Sequence, residues 1–212
     1  MAGLSNYAAQ AVLNALHGKT SNFGALASAP TIYLGLHGAT TLASAASTGA
    51  SSISVDDDIG DAATVTLDPG GANEETHSVA SVSGSGPYTV NLDGTTLAND
   101  HASGVNVGFP PTEDGANIKE PSGGAYARVA TAASDWNEAT LADPSVVTNA
   151  AAIDFGTATA DWLSGVKITH AFEVDASSAG NMLASGPLST AKPVLNGDPA
   201  KLAAGSVTMA AT

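Results

Sequence analysis

The strongest constraint on the fold is a series of short segments in which apolar and polar residues alternate, such as Ser52–Val55 and Tyr88–Leu92. Alternation at period two places the apolar side chains on one face of a β-strand. Gly, Pro, Asn and Asp occupy the intervening turns, as in Asp68–Gly71 and Ser83–Pro87. Many short, closely spaced strands are typical of a β-sandwich or barrel. The strands predicted in this way are Thr31–Leu36, Ser52–Val55, Ala63–Leu67, His77–Val82, Tyr88–Leu92, Ala125–Ala130, Ala150–Phe155, Gly165–Val174, Asn181–Pro187 and Lys201–Thr208.

One helix is predicted near the N-terminus. Apolar residues recur at helical spacing from Ala9 to Leu16, and Gly18 ends the pattern. Ser5 is the predicted N-cap, with Leu4 as the hydrophobic residue before it. A helix of this length is marginal alone, so we expect it to pack against the β-structure.

The distribution of charge divides the chain. Twenty acids and six bases give a net charge of −14, yet residues 20–118 contain eleven of the acids and no Lys or Arg. A low-complexity run at Ala43–Ala50 stands at the start of the acidic part, and Phe109–Pro111 closes it. We therefore interpret residues 44–113 as a small inserted β-barrel-like module. Residues 1–43 plus 114–212 would then form a β-sandwich host domain, jelly-roll or Ig-like, carrying the short helix.

Composition excludes several classes of partner. Nucleic-acid binding needs clustered Lys and Arg, and this chain has a single Arg. The negative charge also disfavours anionic membrane surfaces, and there is no run of 18 apolar residues that would span a bilayer. Without cysteine there is no disulfide or thiol chemistry. The N-terminus does not resemble a signal peptide, so we expect a soluble protein of the cytoplasm in which it is made.

No motif locates an active or metal site. The five histidines, His17, His37, His77, His101 and His170, lack the spacing of zinc ligands, so hydrogen-bonded structural roles are favoured for them. The acidic run Asp56–Asp58 begins like a calcium loop, but the EF-hand pattern fails at its sixth and twelfth positions, Asp61 and Leu67. A solvated acidic turn is favoured over another kind of calcium site. We predict no catalytic, cofactor-binding or metal-binding residue, no cofactor and no enzymatic activity.

The aromatic residues and the single arginine have structural interpretations. Tyr33, Tyr126, Trp136 and Trp162 are candidates for the core or for subunit contacts, and stacking on a sugar is the less favoured alternative. Arg128 is expected to form a bidentate pair with a carboxylate, which is the contact that a guanidinium makes best.

Several blocks outside the acidic stretch resemble, in order, a family of small tailed-phage virion structural proteins that are usually called tail-fibre, minor structural or capsid decoration proteins. The blocks are Leu4–Ala8, Pro30–His37, Gly123–Val129, Ile153–Ala158, Trp162, Ile168–Phe172, Gly180–Leu188 and Ala203–Gly205. The acidic stretch resembles a β-module of phage surface proteins at Gly49–Val55, Ala72–Val79 and Leu97–Val105. Asp56–Asp58 departs from the small apolar residues of that module.

The resemblance implies a non-enzymatic protein on the virion surface, assembled in the host cytoplasm. The first hypothesis is a capsid decoration or head-spike subunit, whose partners would be two further copies of this chain, in a trimer, and the major capsid protein. One alternative is a tail-fibre or tail-tip subunit, which would contact the host and other tail proteins. Another is a carbohydrate-binding adhesin module. A hydrolase with unidentified carboxylates is a remote fourth.

Overall fold

The computed structural model describes residues 6–19 and 31–211. The predicted helix is present as α1, Asn6–Leu16. Gly18 adopts a left-handed φ of 68°, and Lys19 N donates to Asn14 O at 2.7 Å, which closes the helix end where the sequence predicted it. The predicted cap residues Leu4 and Ser5 lie outside the described residues.

The rest of the described chain is mainly antiparallel β-structure, which confirms the predicted fold class. Two short 3₁₀ turns, Ala133–Asp135 and Trp162–Gly165, interrupt it. The strands are β1 Ile32–Gly38, β2 Thr40–Thr41, β3 Ser52–Val55, β4 Thr64–Leu67, β5 Glu75–Gly84, β6 Tyr88–Leu92, β7 Asn106–Gly108, β8 Val129–Thr131, β9 Ser145–Thr148, β10 Ile153–Thr157, β11 Ile168–Val174, β12 Met182–Lys192, β13 Pro199–Leu202 and β14 Thr208–Ala211.

Six strands between residues 40 and 108 form a nearly closed barrel in the order β2-β7-β4-β5-β6-β3. The two end strands approach one another through the bridge between Leu42 and Val55, where Ala43 N donates to Ser54 O at 2.9 Å. Inward-facing apolar residues such as Val65, Leu67 and Val90 fill the interior and have no exposed surface. This barrel-like sheet agrees with the predicted fold class.

The flanking segments build a second unit, here called the sandwich. Its four-stranded sheet has the order β12-β11-β1-β8, and two further ladders pair β10 with β13 and β9 with β14. A single core joins these ladders and α1 to the sheet, and it includes Leu13, Leu36, Phe155 and Met209. Because the two units have separate hydrophobic cores, each has its own source of stability. The division at residues 44 and 113 stays a prediction.

The predicted strands differ from the observed ones mainly after residue 124. Ala125–Ala130 was expected to be a strand, but Ala125 has a left-handed φ of 65° and only Val129–Thr131 pairs, with β1. The prediction of a single strand over Lys201–Thr208 is wrong, because a turn between β13 and β14 divides this segment. The sequence did not predict β2, β7 and β9. With two and three residues, β2 and β7 are too short to show an alternating pattern, and β9 has two adjacent valines in place of alternation.

Two lysines of the sandwich contact acids of the barrel. Lys119 Nζ donates to the carboxylate of Asp57. Lys167 Nζ donates to Pro69 O at 2.7 Å and lies 3.9 Å from Asp68 Oδ1. Opposite charges therefore face one another where the base-free barrel meets the sandwich.

Candidate functional site

Two of the histidines converge on one carboxylate in the barrel. Glu75, at the start of β5, accepts hydrogen bonds from His77 Nε2 at 2.9 Å and from His101 Nε2 at 2.7 Å. The backbone N–H groups of Ala98 and Asn99 donate to the same carboxylate at 2.7 and 3.1 Å. The cluster therefore ties the 98–101 loop to β5.

The charge state of this cluster follows from its donors. Burial raises the pKa of Glu75, but the four hydrogen bonds outweigh burial and lower it to about 2. The ionised carboxylate accepts from His77 Nε2, and His77 Nδ1 lies 2.9 Å from the Thr95 hydroxyl. A hydroxyl, an imidazole and a carboxylate connected in this order resemble the relay that activates a nucleophile. However, the Ala98 and Asn99 N–H groups that would stabilise an oxyanion are already bonded to Glu75, which favours a structural role.

Two further histidines lie where the barrel meets the sandwich. His37 in β1 and His170 in β11 are register partners, with ring centroids 5.8 Å apart, and the His37 ring packs edge-on against Phe109 at 4.6 Å. Lys119 N donates to His37 Nδ1 at 2.9 Å. Burial, followed by the neighbouring His170, lowers the pKa of His37 to about 3, and burial lowers the pKa of His170 to about 4. Both rings are therefore neutral near pH 7.

The fifth histidine joins the helix to the sheet. His17 contacts Leu13 O through Nδ1 at 2.9 Å, and its Nε2 lies 3.4 Å from Glu173 Oε1. Both side chains are completely buried, and Trp136 packs edge-on against the His17 ring with centroids 4.3 Å apart. Neither member of this pair reaches solvent, so its role is to orient α1 on the sandwich.

The acidic run Asp56–Asp58 does not converge on one point. Asp56 accepts from the Thr41 hydroxyl, Asp57 from Thr40 Oγ1 and Lys119, and Asp58 from Gly60 N. Within residues 6–19 and 31–211, no group of three or more His, Asp or Glu side chains is placed to hold a metal ion. The three carboxylates stabilise the turn after β3 through separate contacts.

Arg128 makes the bidentate pair that its chemistry predicts. Its Nε and one terminal nitrogen donate to Glu120 at 2.8 to 3.1 Å, and the other terminal nitrogen donates to the carbonyls of Ala176 and Ala179. Tyr126 also donates to Glu120, at 2.6 Å, and burial and this bond raise the pKa of the Tyr126 hydroxyl. Arg128 could be singled out from the sequence because it is the only arginine of the chain. The sequence did not identify Glu120 as its partner.

The aromatic residues divide between the core and its margin. Trp136 and Trp162 are 2% and 1% exposed, and Trp162 Nε1 donates to Gly124 O at 2.9 Å. Tyr126 packs edge-on against Trp162, with centroids 5.0 Å apart. Tyr33 and Tyr88 are half-buried, and the side chain of Tyr7 lies outside the described part. The two tryptophans are therefore core residues and are not available to stack on a sugar.

A cleft of about 630 Å³ opens between the barrel and the sandwich. One wall is the outward face of β4, with Thr64 and Thr66, and the other is formed by five consecutive residues of β12, 187–191. Thr169 and His170 contribute to its floor. Neither wall alone would make a cavity, which is why no sequence motif signals this site.

Most of the sandwich matches a known protein family. The described structure defines a mainly β-protein in which a small barrel is joined to a β-sandwich. Residues 109–210, just under half of the chain, match the family model described as podophage GP4 fiber I protein gp80. The match confirms the resemblance of the chain to tailed-phage virion structural proteins. Proteins of this class are associated with the virion and are generally non-enzymatic. No curated protein matches the chain.

The start of the family match coincides with the end of the barrel. The match begins at Phe109, directly after the last barrel strand, β7, ends at Gly108. The barrel therefore lies outside the matched range. Among the described residues, no helix has the length and apolar character required to cross a membrane.

Proposed function

We propose that this protein is a fibre-associated subunit on the surface of a tailed-phage particle, attached through its sandwich. The observation that carries the proposal is the match of residues 109–210 to a phage fibre family. This range contains most of the sandwich. The barrel, which lies outside it, is then the part free to extend into solvent.

The distribution of charge and apolar surface supports attachment through the sandwich. All six bases lie outside residues 20–118, so the negative charge is concentrated on the barrel. The large apolar side chains that are most exposed among the described residues, Val12, Leu141 and Leu195, belong to the sandwich. Apolar surface favours a protein interface, whereas a strongly acidic surface favours solvent.

The proposed partners are further copies of this chain, arranged as a closed trimer, and other tail proteins. A closed ring buries equivalent surfaces on every copy, which prevents open-ended growth. Light scattering of the purified protein measures this directly: a mass of three chains supports the trimer, and a monomer at all concentrations contradicts it.

Decoration of the capsid, with the major capsid protein as partner, is the competing assignment. Gold-labelled antibody against the purified protein, imaged on intact particles, separates the two. Label at the tail supports the fibre assignment, and label distributed over the head supports decoration. Quantitative mass spectrometry is the second measurement, because a tail component is present in few copies and a decoration protein in hundreds.

A further inference from the structure

We propose that the cleft between the barrel and the sandwich binds a neutral saccharide. This inference deepens the proposed function by giving the surface subunit a ligand. It depends on the cleft itself, and not on where the subunit sits on the particle.

The size and position of the cleft suit a small ligand. Its volume, about 630 Å³, lies within the range of ligand-binding clefts, roughly 300 to 1,000 Å³. The barrel and β12 come close together at Gly70, where a Cβ atom would lie 3.4 Å from the Ala191 carbonyl oxygen. A ligand in the cleft would contact both units at once, which is a common arrangement for binding sites.

The polar groups of the cleft are largely unused. The hydroxyls of Thr64, Ser189 and Thr190 make no hydrogen bond to any described residue. Glu74 accepts from Gly70 N through Oε2, and its Oε1 has no partner among the described residues. His170 uses Nδ1 against the Thr169 hydroxyl at 3.0 Å, and its Nε2 is likewise not bonded within the described chain. These groups remain available to a ligand.

The chemistry of these groups selects the class of ligand. A hydroxyl can donate and accept, and so can a neutral imidazole, depending on its tautomer. Burial lowers the pKa of His170 to about 4, so the ring is neutral under ordinary conditions. Ligand hydroxyls, which also donate and accept, can pair with every one of these groups.

The charges around the cleft disfavour anionic ligands and multiply charged cations. The side chains that line the cleft include no Lys or Arg, and the whole chain carries −14, so an anionic ligand is repelled. One carboxylate, that of Glu74, is insufficient for a multiply charged cation but pairs well with ligand hydroxyls. Pro69, Pro110 and Leu188 offer apolar surface to the C–H groups of a sugar ring.

The test is a titration of the purified full chain followed by NMR of the histidine rings, of which there are only five. The probes are glucose, galactose, mannose, N-acetylglucosamine, maltose and lactose, with glucuronic acid as the charged counterpart. We expect a saturable shift of the His170 ring with at least one neutral sugar, and a much smaller one with glucuronic acid. No saturable His170 shift with any of these sugars overturns the proposal, as does equal binding of glucuronic acid.

A matched pair of variants ties binding to the cleft. The double variant Thr64→Val and Thr190→Val removes two hydroxyls with little change of volume, and both residues lie in strands, where valine is well accommodated. We expect affinity to fall at least tenfold. The control, Thr89→Val, makes the same change at an exposed position of β6 outside the cleft and should bind like the unaltered chain. Equal affinity of all three proteins would place the sugar elsewhere.

The two proposals fail separately. Loss of sugar binding in the double variant without loss of particle incorporation supports the cleft and leaves the attachment through the sandwich intact. Conversely, a chain absent from particles that still binds sugar would contradict the fibre assignment alone.

Discussion

His101 Nε2 donates a 2.7 Å hydrogen bond to the carboxylate of Glu75, which lies 26 residues earlier in the chain. The two side chains are 1% and 10% exposed, so water competes weakly for this bond. The contact holds the loop before β7 against the start of β5. The ionised state of Glu75 thus stabilises the barrel, although it takes no part in a site open to ligands.

Replacing Glu75 by Gln should destabilise the barrel by about 1 to 3 kcal/mol, because an amide nitrogen would then face buried donors that lose their acceptor. Chemical denaturation followed by circular dichroism measures the loss. Asp93→Asn is the control, since Asp93 is an exposed barrel acid with no side-chain partner among the described residues, and it should change stability little. An equal loss in both variants would show that net charge, and not the cluster, is responsible.

Glu75 also predicts an acid limit for the barrel. Its pKa is lowered from 4.5 to about 2 in the folded chain, so the unfolded chain takes up a proton first as the pH falls. The stability contributed by the carboxylate is complete above about pH 4.5 and is lost progressively toward about pH 2. Denaturation at several pH values should show this loss in the native chain and a shallower one in Glu75→Gln.

His37 predicts a loss of stability as the pH falls below about 6.5, a higher pH than the one at which the Glu75 contribution is lost. Its pKa is lowered from 6.5 to about 3, so below about pH 6.5 the unfolded chain binds more protons than the folded one. At pH 5 this linkage alone should cost on the order of 2 kcal/mol relative to pH 7.5, at about 1.4 kcal/mol for each unit by which the pH lies below the unfolded pKa. The pKa of His170 is also lowered, so its titration adds to the loss of stability at low pH.

The measurement is the free energy of unfolding at pH 7.5 and pH 5 for the native chain and His37→Asn. Asn can accept the hydrogen bond from Lys119 N but does not titrate. The pH dependence should be smaller in the variant, whatever its stability at pH 7.5. A native chain equally stable at both pH values would contradict the neutral assignment of both histidines.

Arg128 and Lys201 should differ sharply in what their ion pairs contribute. The Arg128 pair with Glu120 is 8% and 22% exposed, and the Lys201 pair with Asp154 is 54% and 50% exposed. Arg128→Lys should cost about 3 kcal/mol, because Lys cannot hold the carboxylate and two carbonyls together. Lys201→Met should cost less than about 1 kcal/mol. Thermal unfolding of the two variants checks this order, and a similar cost for both would refute it.

Two strand glycines of the same sheet offer a test of close packing. A Cβ at Gly35 would lie 2.2 Å from the ring of Phe172, its register partner, whereas one at Gly186 would meet nothing within 4 Å. Gly35→Ala should therefore destabilise the sandwich by about 1 to 3 kcal/mol or more, and Gly186→Ala should be nearly neutral. Equal melting temperatures for the two variants would show that Phe172 moves aside without cost.

Several elements were predictable because their signals are local. Ser52–Val55 and Tyr88–Leu92 alternate at period two and match β3 and β6 residue for residue. The stop of α1 at Gly18 depends on one residue that accepts a left-handed φ. By contrast, Lys201–Thr208 contains strand-forming residues on both sides of a turn, and only pairing with Ile153 and Thr148 assigns them to different ladders.

The side-chain clusters were not predictable from spacing. His37 and His170 are 133 positions apart and meet because β1 and β11 pair in one register. The cleft likewise depends on the way β4 of the barrel approaches β12 of the sandwich. Neither arrangement produces a recognisable sequence pattern, because the residues involved occupy ordinary positions in their strands.

What the sequence determined by itself was the class of fold, the concentration of acid between residues 20 and 118, and the resemblance to tailed-phage proteins. Each follows from local periodicity, from composition or from ordered blocks of residues. The tertiary structure alone decided which carboxylate pairs with Arg128, which histidines become neutral and where a cleft opens between the barrel and the sandwich. These properties depend on burial and on distances between remote strands, and a linear pattern of residues does not specify them.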